Sequence, residues 1–112
     1  MGNVTPKRTI TSNSFIELKR RRIVNEILTT EASYVNNLQT VTQKFLMPLL
    51  AASQTSKPIL KVPQIKTIFM NIQVILNYNN LLLGSLEDRI AAWSDKQVLG
   101  DIFFKMVRPI YE

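Results

Sequence analysis

Apolar side chains recur at helical spacing through three stretches of this chain, and no stretch of useful length alternates with the two-residue period of a strand. Between Ile23 and Leu49, the residues Ile27, Leu28, Tyr34, Val35, Leu38, Phe45 and Leu49 fall on one side of a wheel drawn at about 100° per residue. Glu31 projects close to the centre of that stripe. An unpaired carboxylate in such a place is costly, so the acid needs a partner.

Residues 1–13 are polar, contain Pro6 and lack periodicity, which predicts a disordered polar tail. Ser14 and Glu17 have the spacing of a capping box, so a first helix is expected from Phe15 to about Leu50, bent at Pro48. Such a helix would be about 50 Å long, against a radius of gyration of about 13 Å for a compact chain of this size. Ala51 to Pro63 reads as a connecting loop.

A second helix is expected from about Gln64 to Trp93, with Ile65, Ile68, Phe69, Ile72, Ile75, Leu76, Leu82, Leu83, Leu86, Ile90 and Trp93 on one face. Asn79 within that face reads as a buried amide satisfied by backbone or by a neighbouring helix. Gly84 weakens the helix and suggests close packing or a bend. Asp101 is placed to cap a third helix carrying Ile102, Phe103, Met106, Val107 and Ile110. The fold class is therefore all-α, an elongated antiparallel helical bundle with about three main helices.

Composition narrows the chemistry. The 112 residues contain 46% hydrophobic side chains, enough for one domain with a core, and neither cysteine nor histidine. Disulfides, cysteine nucleophiles, histidine acid–base chemistry and the usual zinc sites are thereby excluded, and no cofactor is expected. No apolar run approaches the length of a membrane span, and the N-terminus lacks the order of a signal peptide, so a cytoplasmic chain is expected. Gly2 invites the thought of myristoylation, but Pro6 stands where that motif requires Ser or Thr.

The run Asn25-Glu26-Ile27-Leu28-Thr29-Thr30-Glu31-Ala32-Ser33-Tyr34-Val35 resembles the first conserved segment of the Dbl-homology (DH) domain of guanine-nucleotide exchange factors for Rho-family GTPases. Ile68-Phe69-Met70-Asn71-Ile72, Asn79-Asn80-Leu81-Leu82-Leu83 and Leu86-Glu87-Asp88-Arg89 are similar to the second segment, and Trp93 and Val98-Leu99-Gly100-Asp101-Ile102-Phe103 follow in the family's order. Several blocks in register are far more specific than Thr-Glu-x-x-Tyr-Val alone. The resemblance covers about Lys19 to Tyr111 and implies that residues 14–112 are a partial DH domain, truncated before its third conserved segment.

The family's chemistry is exchange without covalent bonds. The domain binds the switch regions of the GTPase and stabilises the nucleotide-free state, so that GDP is replaced by GTP. The resemblance implies that Glu31 contacts the first switch, with Thr30 and Ile27 beside it in the GTPase-binding surface. Periodicity alone favours a different reading, an internal ion pair between Glu31 and a basic residue such as Arg89. Tyr34 and Val35 are expected to pack. The competing functional reading is a noncatalytic helical interaction module, derived from a DH domain, that binds a GTPase or a membrane surface without releasing nucleotide.

Charge adds one more candidate. The formal net charge is +6, and Lys19-Arg20-Arg21-Arg22 is the one dense basic run. Such a run suits a solvated helix start, weak contact with an anionic membrane surface, or nucleic acid. Nucleic acid is the least favoured, because no Gly-rich or aromatic-interleaved binding motif accompanies the run. Four consecutive helical residues point in all directions and do not form one basic face.

Overall fold

The computed structural model describes residues 12–111, with side chains over residues 14–107. Its helices are α1 (Ser12–Val41), α2 (Met47–Ser53), α3 (Val62–Ala91) and α4 (Gly100–Tyr111), and a π-helical turn, Thr42–Leu46, joins α1 to α2 without a break. The chain is thus all-α, with α1 and α2 forming one long rod. Most of the expected tail lies outside the described residues, but Ser12 and Asn13 are already helical.

The capping box at Ser14 and Glu17 is not what starts α1, because the helix is already under way at Ser12. Glu17 instead accepts hydrogen bonds from Arg20 Nη1 at 2.7 Å and from Trp93 Nε1 at 3.2 Å. At the other end of the rod Pro48 has no N–H to donate, and its ring crowds the carbonyl one turn back. The chain responds just before the proline by widening one turn, so that the Met47 N–H reaches the Thr42 carbonyl five residues earlier. This extra residue in the turn rotates the remainder of the rod about its axis. Leu46, 3% exposed, takes the inward position expected of Phe45, which is 58% exposed.

Gln54 to Lys61 form the connection, shorter than expected, since the rod continues through Ser53. Pro63 falls in the first turn of α3, where its missing N–H costs nothing, and Gln64 Oε1 accepts from the Lys61 N–H at 2.9 Å. The helix therefore begins at Val62 and ends at Ala91, leaving Trp93 in the following loop.

The rod and α3 run antiparallel. Leu46 near the end of the rod packs with Ile65 and Phe69 near the start of α3, and Arg20 near the start of α1 reaches the loop after α3. Val24, Val35, Leu46, Ile65, Phe69, Leu86 and Ile102 are the buried apolar residues among those described. Ile68 and Ile75 of the expected α3 stripe are exposed instead, as is Tyr34 of α1. A helix contacting essentially one long partner buries a strip narrower than the whole apolar stripe. The resulting body measures 82 × 35 × 17 Å with a radius of gyration of 21.8 Å, so its thickness is little more than one helix with side chains.

Two arginines hold the other pieces. Arg20 Nη1 donates to the Asp95 carbonyl at 3.1 Å and Nη2 to the Gln97 carbonyl at 2.5 Å, while its guanidinium lies 5.2 Å from the centre of the Trp93 ring. Arg89 makes a bidentate pair with Asp101, Nη1 to Oδ1 and Nη2 to Oδ2 at 2.8 Å each, and Nη1 also donates to the Val98 carbonyl at 2.6 Å. Asp101 lies in the first turn of α4, and its carboxylate serves to tie that helix to α3. Asn79 donates to the Ile75 carbonyl of its own helix at 2.8 Å. It does not fix register with a neighbour.

Gly84 is not a site of close packing, since a Cβ there would meet nothing within 4 Å. Gly84→Ala should therefore stabilise the chain by about 0.5–1 kcal/mol, read as a higher urea midpoint at unchanged slope. The Arg89 guanidinium holds the Asp101 carboxyl down at about 2, below its ordinary value of 3.8. A depressed carboxyl contributes stability that is present above its unfolded value and lost as pH falls toward the folded one. Asp101→Asn should lower Tm at pH 7, and the difference from wild type should shrink progressively from about pH 4 to pH 2 in matched thermal melts.

Candidate functional site

Glu31 lies on the buried strip of α1, seven residues after Val24 and four before Val35, as the periodicity requires. Around it α1, α3 and α4 enclose an open groove of about 450 Å³ lined by Ile23, Glu26, Ile27, Thr30, Glu31, Leu82, Leu86 and Phe103. Leu82 and Leu86 are four residues apart and so share one face of α3. Phe103 comes from α4, whose position the Arg89–Asp101 pair sets. The three helices supply apolar walls, and α1 supplies the acid.

The expected ion pair between Glu31 and Arg89 is absent. Arg89 is held in its bidentate pair with Asp101, which sits at the start of the next helix and offers both carboxylate oxygens to the guanidinium. Glu31 Oε2 is buried and has no hydrogen-bond partner within the chain. The side chain as a whole is only half-buried, yet desolvation raises its carboxyl above the ordinary value of 4.5. A buried acceptor without a donor is an energetic defect in the isolated chain. It becomes an asset if a second molecule brings N–H or O–H groups into the groove.

Thr30 and Ile27 line the same groove, so the three residues singled out from the sequence come together. Thr29, next to them, donates its hydroxyl to the Asn25 carbonyl at 2.8 Å. Tyr34 lies on the exposed shoulder of α1, whereas Val35 is 2% exposed. Sequence reasoning missed Leu82, Leu86 and Phe103 as site residues. Their helical spacing marked them as apolar-face positions, but which part of α3 faces Glu31 depends on the antiparallel register.

The basic run is split by the fold. Arg20 is turned into the contact with Glu17, Trp93 and the α3–α4 loop, so its expected role at a lipid surface is corrected to a structural one. Lys19, Arg21 and Arg22 are exposed. Among the described residues, no cluster of three metal-ligating side chains occurs, and no helix is long and apolar enough to cross a membrane.

A family model described as the RhoGEF domain matches residues 23–112. Protein ECT2 of Mus musculus is 38% identical over 91 residues, covering 81% of this chain and 10% of that protein. Guanine exchange factor for Rac 30 of Dictyostelium discoideum is 40% identical over 89 residues, covering 79% of this chain and 5% of that protein. The Breakpoint cluster region protein of Homo sapiens is 32% identical over 87 residues, 78% of this chain and 7% of the relative. The chain thus spans about a tenth or less of the length of these relatives. No solved structure matches. The matched segment holds Glu31 and every residue that lines its groove, and with it the chain belongs to the RhoGEF, or Dbl-homology, domain family.

Proposed function

We propose that this chain promotes guanine-nucleotide exchange on a small GTPase of the Rho family, acting in the cytoplasm. The observation that carries the reading is Glu31, whose side chain lines an open groove among apolar neighbours and whose buried Oε2 has no donor within the chain. A mobile loop of the GTPase that brings donors to this carboxylate gains charge-assisted hydrogen bonds, each worth roughly 1.5–3 kcal/mol. The same loop leaves the position from which it holds nucleotide.

Exchange needs no covalent step on this account. The exchange factor and the nucleotide are two ligands of the GTPase that weaken each other, and the coupling is reciprocal. Ile27, Leu82, Leu86 and Phe103 supply apolar contact area around the acid, and Thr30 supplies a hydroxyl at its edge. The name of one relative, a guanine exchange factor for Rac, supports a GTPase of this kind as partner.

Release of fluorescent GDP from a panel of Rho-family GTPases, Rac included, tests the reading. The chain should accelerate release from at least one of them, and Glu31→Ala should cut that acceleration about tenfold or more with helix content preserved. Unchanged release in the variant would remove Glu31 from the site. Capture of nucleotide-free GTPase without faster release would identify a binding module instead.

Stability gives an independent check. Because the folded carboxyl lies above its unfolded value, ionised Glu31 opposes folding once pH has risen through the folded pKa. Glu31→Gln should raise Tm at pH 7, and its advantage should shrink as the pH of the melt falls through the raised folded value toward 4.5 and be gone below it.

A further inference from the structure

We propose that the outer face of the first turns of α1 docks on the surface of an anionic phospholipid membrane. Phe15, Leu18, Lys19 and Arg22 have the spacing i, i+3, i+4, i+7 and so form one stripe along the helix. Phe15 is 67% exposed and Leu18 is 59% exposed, with Ile16 beside them at 56%. Lys19, Arg21 and Arg22 are all exposed, and the first acid after them is Glu26.

Arg20 is what makes this arrangement visible. The sequence scatters four cations around the helix, but the fold takes Arg20 inward to Glu17, Trp93 and the α3–α4 loop, which also occupies the nearby acid. What remains outside is three cations among apolar side chains. Phosphate binding to a nucleic acid gives Phe15 and Leu18 nothing to do. A lipid interface accommodates both kinds: apolar tips enter the acyl boundary while lysine and arginine stems lie along it with their heads among the phosphates. A second copy of this chain would set the same cations against each other.

The stripe is also separate from the groove. It shares no residue with the groove lining and lies before it along α1, and Glu26 of the lining follows Arg22 by one turn on the same side of the helix. The stripe precedes residue 23, where the RhoGEF match begins. The inference therefore goes beyond the exchange reading and does not rest on it, and its test contains no GTPase.

Sedimentation of the full chain with vesicles of phosphatidylcholine containing one-fifth phosphatidylserine, against vesicles of phosphatidylcholine alone, decides the matter. Binding to the anionic vesicles should be about tenfold tighter at about 0.1 M salt and should fall steeply at about 0.5 M. Lys19→Glu with Arg22→Glu should lose about tenfold or more, and Phe15→Ser with Leu18→Ser about threefold or more while keeping the preference for anionic lipid. All four positions are exposed, and circular dichroism of each double variant verifies its helix content. Absence of binding, equal binding to both vesicles, or binding unaffected by the charge reversal would overturn the proposal. So would a dimer in sedimentation equilibrium that dissociates on Phe15→Ser with Leu18→Ser, since that would assign the stripe to a second copy.

Discussion

A single antiparallel contact between two long helical rods carries the rest of this molecule. Leu46, Ile65 and Phe69 close it at one end, Val35 and Leu86 are sealed along it, and Val24 continues the strip toward the start of α1. Because the contact is long and one helix thick, it buries a narrow line of side chains and leaves the flanks of both stripes uncovered. The body is therefore elongated, 82 Å in its longest dimension, and a groove opens where a third helix leans on the pair. The Glu31 groove is such a place, at the point where α4 meets α3 close to α1.

Polar interactions position these pieces, and each has a definite local cause. Arg89 can offer two parallel N–H groups, and Asp101 presents two oxygens from the first turn of α4, so the guanidinium goes to Asp101 and not to the lone acid across the helix pair. That choice leaves Glu31 Oε2 without a donor. Arg20 does for the loop after α3 what Arg89 does for α4, with the Trp93 ring as its platform. The site's unsatisfied acid and the scaffold's satisfied arginines are thus two sides of one distribution of charge.

The site is legible in part, for reasons that residue patterns make plain. Glu31 can be singled out because a helical wheel places it among apolar neighbours, and Thr30 and Ile27 are within one turn of it. Its internal partner cannot be chosen from the chain, since Arg89 has a competing acid only twelve residues away whose geometry depends on how the α3–α4 loop turns. Ile68, Ile75, Tyr34 and Phe45 fall on the apolar sides of their wheels and are nonetheless exposed. The wheel assigns a hemisphere, whereas burial is decided by the width of the actual contact.

What the sequence by itself determined is everything set by neighbours within a few turns: the helical elements, the long rods, the burial strip containing Glu31, the absence of histidine and cysteine chemistry, and the family resemblance of residues along that strip. Pro48 also announced a disturbance, because its missing N–H is a local fact. Tertiary structure alone decided which side chain near the widened turn is buried, Leu46 in place of Phe45, and the antiparallel register that sets Leu86 and Phe103 beside Glu31. It also decided which arginine of the basic run turns inward. These outcomes depend on contacts between residues as far apart as Arg20 and Gln97, where many pairings satisfy the same local pattern and only the packed register selects one.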